Sequence, residues 1–239
     1  MLGRQMAHVA GADGARGGWA VVSFEAGRCR IGKVGRLSEI FDGGLSPKIV
    51  AVDIPIGLLD GFEAGGRRCD REARKCLGKR AASVFPAPVR PVLKVSMYED
   101  ACALSRESVE NAKAISKQTW AIVPKIREVD DLLRTRPALR EIIHEVHPEV
   151  CFRELAGAPM KYSKKKREGQ DERKRALRQS FPDLDEILTR GRKEGLASED
   201  IVDAAAACCS ALRLAAGEGR SLIEPVPRDR AGLPMTIWV

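Results

Sequence analysis

Aromatic residues make up only 5% of the 239 residues: three Trp, two Tyr and six Phe. So few rings argue against binding single strands along a row of stacking side chains. With three histidines, no Ser/His/Asp or Cys/His set stands out for nucleophilic catalysis. No apolar run approaches the roughly 20 residues of a membrane helix, and Met1–Met6 lacks the apolar stretch of an export signal. There is no Gly-x-x-x-x-Gly-Lys-Ser/Thr phosphate loop. The seven cysteines, at 29, 69, 76, 102, 151, 208 and 209, are odd in number and scattered. Cys69 and Cys76 lack the Cys-x-x-Cys spacing of a zinc site, and Cys208 and Cys209 would point to different helix faces. Reduced thiols serving as small buried hydrophobes are expected instead. The expectation is a cytoplasmic globular protein with no membrane partner.

Charge is present in quantity and unevenly placed. The chain carries 41 Lys+Arg against 33 Asp+Glu, a net +8. Arg67–Lys94 holds nine basic and two acidic residues, and Lys161–Arg178 nine basic and three acidic, so the remainder of the chain is net acidic. Two basic stretches on an acidic body point to a polyanion such as nucleic acid, or else to two solvated helix faces.

The first fifty residues read as strands: His8–Asp13, then Trp19–Phe24 after the turn Gly14–Gly18, then a weaker Arg28–Val34. A short helix over Ser38–Phe41 should close at Gly43-Gly44. Lys48–Asp53 is a continuous apolar strand ended by Pro55. Helices are expected over Arg68–Arg80, Tyr98–Ser116, Gln118–Arg134 with a kink or break at Pro124, Asp171–Gln179 and Leu184–Arg190. Ser83–Pro91, with three prolines, must be an extended loop. Glu141–Val146 is a fifth strand, and Pro148 suits the first position of a new helix. Ser198–Ala216 is the strongest helix, with Ser198 as its N-cap, and a strand at Thr236–Val239 could finish the chain. Three antiparallel strands, then strands joined in parallel through helical crossovers, give an α/β mixed sheet flanked by helices.

On this reading Asp13 ends the first strand, Asp53 the fourth, and Glu149 follows the fifth. Strand ends on one edge of an α/β sheet converge, so these acids can share a site. Each also has a plain structural role. Asp13-Gly14 is a turn signal, Asp53 can cap the turn before Pro55, and Glu149 suits a helix N-terminus. Asp200, in the first turn of its helix, is assigned to the helix dipole. Asp203 is different, because between Ile201 and Leu212 every other residue except Ser210 is hydrophobic. A carboxylate in so apolar a helix needs a metal or a cationic partner. With no basic residue in that stretch, a metal is the expectation.

These residues lie in motifs that resemble the family known as domain of unknown function 429. The motifs are Ala12–Trp19, Val52–Gly57, Arg68–Arg74, Ser83–Pro86, Gln118–Trp120, Lys125–Asp130, Val146–Glu149 and Asp200–Ala204. The resemblance runs from about Val9 to about Leu214. That family is described as predicted nucleases of ribonuclease-H-like fold. The resemblance therefore implies one ribonuclease-H-like domain over 1–239, with a helical insertion at about 62–138 and a basic helical segment at about 160–195. It implies catalytic acids from the first strand, the end of the fourth and the last helix. Asp13, Asp53 and Asp203 fill those places, with Glu149 as an added acid and Glu39 a weak counterpart for an acid on the first helix.

The leading functional expectation is a nuclease, hydrolysing phosphodiester bonds with Mg²⁺ or Mn²⁺ held by Asp13, Asp53 and Asp203. Hard carboxylate oxygens select such ions. Glu149 would be a ligand or would orient water. Arg16, Arg68, Arg71, Lys117, Lys125, Lys164 and Lys165 are the candidate phosphate contacts. The alternatives are a phosphotransferase or ATPase of the actin-like superfold, and a non-catalytic nucleic-acid-binding module.

Overall fold

The computed structural model describes residues 8–42, 46–107 and 114–239. Its centre is a five-stranded mixed sheet: β1 (Val9–Ala15), β2 (Gly18–Glu25), β3 (Arg28–Val34), β4 (Ile49–Val52) and β5 (Ile143–Glu145). The spatial order is β3-β2-β1-β4-β5. β1, β2 and β3 form an antiparallel meander, whereas β4 runs parallel to β1 and β5 parallel to β4. The turn between β1 and β2 is tighter than the expected Gly14–Gly18, because Ala15 pairs with Gly18 and only Arg16 and Gly17 remain in the loop. Gly17 takes a positive φ of 73°, a conformation that favours glycine.

Seven α-helices cover the sheet among the described residues: α1 (Arg68–Leu77), α2 (Tyr98–Glu107), α3 (Lys117–Thr135), α4 (Pro148–Ala156), α5 (Arg167–Leu177), α6 (Leu184–Lys193) and α7 (Ser198–Ala215). Strand alternation sorts the core into two layers. Val9, Ala15, Ala20, Val22 and Ala51 face α4–α7. Ala10, Ala12, Val50 and Val52 face the opposite layer, where Val123, Ile126, Val129 and Leu133 of α3 pack. The α7 helix lies directly on β1. Gly11 makes that contact possible, since a Cβ there would sit 2.0 Å from the Cys208 backbone nitrogen and 2.3 Å from the Ala204 carbonyl oxygen. The alanine run Ala204–Ala207, all buried, lets the helix come equally close from its own side.

Several boundaries differ from expectation. The helix expected over Arg68–Arg80 ends at Leu77, and a 3-10 segment continues over Gly78–Ser83. Pro124 does not break α3, which is continuous from Lys117 to Thr135. Pro124 is on the exposed face, where water can serve the carbonyl that loses its amide partner. Ser198 is the first residue of α7 and not its cap. The extended residue before it, Ala197, holds the N-cap position without any side-chain hydrogen bond. Thr236–Val239 forms bridges and not a strand: Trp238 pairs with Ser221, and its N–H donates to the Glu145 carbonyl at the β5 edge. Gly43-Gly44 and residues 108–113 of the helix expected over Tyr98–Ser116 lie outside the described residues. No disulfide joins any of the seven cysteines, and no helix among the described residues is long and apolar enough to cross a membrane.

Candidate active site

The carboxyl ends of β1, β4 and β5 lie side by side. The Asp53 N–H donates to the Ala12 carbonyl at 3.0 Å, and the Val146 N–H to the Val52 carbonyl at 3.0 Å. Asp13 and Asp53 therefore follow in register on neighbouring strands. By alternation both share the face of Gly11 and Ala51, the face that α7 covers. Asp203 is one residue before Ala204, whose carbonyl would crowd a Gly11 side chain. All four expected acids, Asp13, Asp53, Glu149 and Asp203, line one cavity of about 730 Å³. Lys79, Arg80, Lys125, Lys164 and Lys165 line it too.

Burial and mutual repulsion dominate the electrostatics. Burial holds the Asp13 carboxyl well above the usual carboxylate range, and Asp53, Asp203 and Asp200 push it further. Burial raises Asp53 to about 8, with Asp203 adding to the effect and Lys164 opposing it. Burial raises Asp203 to about 6 against the pull of Lys164. Three carboxyl groups thus compete for too little positive charge.

Asp203 departs from expectation. Lys164 Nζ stands 2.9 Å from its Oδ2 and 2.7 Å from Glu199 Oε1. Burial alone would depress the lysine, but these carboxylates hold its pKa above the ordinary value. The cationic partner comes from a loop 39 residues away. Lys164, expected as a phosphate contact, is thus engaged with an acid.

Glu149 is likewise committed. Arg173, only 1% exposed, donates from Nη2 to both Glu149 oxygens at 2.6 and 2.7 Å and from Nε at 2.9 Å. Arg173 Nη1 also donates to the Tyr162 carbonyl at 3.1 Å. Glu149 thereby secures, through Arg173, the loop that presents Lys164. The β4 edge has its own clamp. Buried Arg67 binds Asp70 and Glu145 at 2.7 and 2.6 Å and donates to the carbonyls of Ile56 and Gly57. Glu145 accepts from Ile56 N–H at 2.6 Å, which fixes the turn carrying Asp53.

The basic candidates divide. Lys125, Lys164 and Lys165 line the cavity, whereas Arg16, Arg68, Arg71 and Lys117 do not. The Arg68 guanidinium donates to the Glu224 carbonyl, and Arg71 to the carbonyls of Ala64 and Gly66. The Lys125 stem crosses Gly14, where a Cβ would meet it at 2.9 Å, and its ammonium lies 4.2 Å from the Trp19 ring centre. Lys79 and Arg80, marked in the sequence only as part of the basic stretch Arg67–Lys94, and His147, marked only within the Val146–Glu149 motif, also line the cavity. His147 Nε2 is 3.3 Å from the Ser83 carbonyl, so that nitrogen carries the proton, and burial lowers the ring's pKa. Glu39 lies outside the cavity lining and accepts from the N–H groups of Gly35 and Arg36.

Among the described residues no three His, Cys, Asp or Glu side chains already converge as a ready metal cage. The chemistry of Asp13 and Asp53 nevertheless fits a hard divalent cation. They are adjacent oxygen donors that repel one another, and among the described residues neither forms a salt bridge. Such a cation would favour their charged forms.

Fold and site together define an α/β protein with a carboxylate-lined, basic-rimmed cleft at the carboxyl edge of a mixed sheet. Residues 11–228 match the family described as "Protein of unknown function (DUF429)", and the chain belongs to that family. No curated protein and no solved structure matches the chain.

Proposed function

We propose that the protein is a divalent-metal-dependent nuclease of ribonuclease-H-like architecture, acting at the Asp13–Asp53 edge of the sheet. The observation that carries this reading is the shared cavity: two adjacent carboxyl groups with raised pKa values, under a rim of lysine and arginine. Asp13 and Asp53 would hold Mg²⁺ or Mn²⁺, which supplies water activation and charge stabilisation in phosphodiester hydrolysis. Asp203 joins them only when Lys164 releases it. Lys79, Arg80, Lys125 and Lys165 hold the phosphates of the strand, and Glu149 acts at a distance by fixing the Lys164 loop through Arg173.

The test is a cleavage panel with Mn²⁺ over single-stranded, duplex, hybrid and branched substrates. The wild type cleaves at least one, and Asp13→Asn or Asp53→Asn reduces cleavage to background with the fold retained. ATP turnover without cleavage of any polynucleotide would move the protein to the phosphotransferase class. Metal-insensitive binding without turnover would leave a nucleic-acid-binding module.

A further inference from the structure

The described residues expose three large hydrophobic side chains, Phe85, Met97 and Tyr162. Of these only Phe85, 45% exposed, lines the carboxylate cavity. Its exposure is not the looseness of an unanchored loop. On one side the Val84 carbonyl accepts from Arg74 Nε at 2.9 Å, and the Val84 side chain is buried. On the other, the Pro86 carbonyl accepts from the Thr119 hydroxyl at 3.3 Å, and the Ala87 N–H donates to Asp70 at 3.3 Å. Pro86 further restricts the Phe85 backbone. Asp70 belongs to the Arg67–Glu145 clamp that fixes the turn of Asp53. One network therefore fixes both the backbone that carries Phe85 and the carboxylate edge.

We propose that Phe85 is a stacking platform for an unpaired nucleobase at the lip of the cavity, and that the substrate class is single-stranded or locally unpaired nucleic acid. The proposal rests on the nucleic-acid reading of the site. Three features of the cavity fit it. With the flanking backbone already anchored, only the side-chain torsions of Phe85 remain to be ordered when a base lands on it. Ala121 and Ile122 line the same cavity as an apolar wall, and Gln118 offers an amide for a base edge. Lys79 and Arg80, also in the lining, supply charge for the phosphates on either side of the base. A paired base has both faces covered by its neighbours and cannot use the ring. One platform at the reacting edge selects an unpaired nucleotide, which a row of aromatics is not needed to do.

The experiment measures anisotropy of a labelled ten-nucleotide oligothymidine and of an abasic oligomer of equal length, in EDTA so that no cleavage intervenes. Both probes carry the same phosphates, and only one carries bases. Wild type should favour the base-bearing strand by about tenfold or more, the scale of one base on one ring. Phe85→Ala should bind both probes alike with an unchanged melting temperature, and Phe85→Trp should restore the preference. A wild type that does not discriminate, or a Phe85→Ala that still does, would overturn the proposal. Cleavage with Mn²⁺ distinguishes its failure from that of the nuclease reading. Cleavage without base discrimination removes the platform alone. Discrimination without cleavage keeps the platform and removes the nuclease.

Discussion

The Lys164–Asp203 pair gives the sharpest test of how the cleft balances its charge, because its two partners should not cost the same to remove. Asp203 is 5% exposed at the side chain, whereas Lys164 is 38% exposed and has Glu199 as a second carboxylate. Replacing Asp203 by Asn leaves the ammonium one carboxylate, an amide oxygen and partial access to water. The loss is then of the order of a screened pair, about 1 kcal/mol or less. It is offset by relief of Asp13 and Asp53, both of which Asp203 pushes up. Replacing Lys164 by Met strands a buried carboxylate among like charges. The full penalty for breaking a buried pair is about 3–5 kcal/mol. Discounted for the half-open lysine, we expect about 2 kcal/mol at pH 8. That corresponds to roughly 4–8 °C in melting temperature for a chain of this size. Below pH 5 the mutant's Asp203 takes up a proton and most of the loss should vanish. The assay is urea unfolding in EDTA for Lys164→Met, Asp203→Asn and the double variant, with the double close to Asp203→Asn alone. If Asp203→Asn proves the costlier single change, the lysine is not the cation that balances this carboxylate.

Other outcomes follow from the same geometry. Asp53, at about 8 when folded against an ordinary 3.8, keeps a proton that the unfolded chain has lost. The contribution of Asp53 to metal-free stability is therefore full below about pH 4 and lost as pH rises through 8; Asp53→Asn should flatten that part of the fall in a pH series of melting curves. Gly11→Ala drives a Cβ into the backbone of α7, at 2.0 and 2.3 Å, so a loss of about 3 kcal/mol or failure to fold is expected by circular dichroism. Glu149→Gln strands Arg173 in a dry environment and should cost about 3–5 kcal/mol, whereas Asp13→Asn should be neutral or stabilising in EDTA. A Glu149→Gln protein as stable as wild type would return Glu149 to direct chemistry at the metal.

The meander, the buried β4 and the α7 helix were legible because period-2 alternation and an unbroken apolar run are local signals. So was the convergence of Asp13 and Asp53, which needs only strand ends; Asp203 stood out as the one carboxylate of the apolar stretch Ile201–Leu212, and the family resemblance set it beside them. The side-chain pairings were not. Asp203 meets Lys164 across 39 residues, Glu149 meets Arg173 across 24, and Glu145 meets Arg67 across 78, and no periodicity records such contacts. For the same reason charge runs misplace individual cations. Arg67 and Arg173 are among the most buried side chains of the molecule, although both sit in strongly basic stretches. Phe85 lay within the Ser83–Pro86 motif, but a 5% aromatic content says nothing about which ring faces the cavity.

The most direct measurement of the central claim is calorimetric titration of Mn²⁺ into the protein at pH 7, in two buffers of different ionisation enthalpy. If Asp13 and Asp53 form a cation site, binding must expel a proton, because Asp53 is still largely protonated at that pH. Wild type should bind Mn²⁺ with net proton release, and the Asp13→Asn, Asp53→Asn double variant should not bind it. Mn²⁺ binding that survives in the double variant, or that releases no proton in the wild type, would contradict the account.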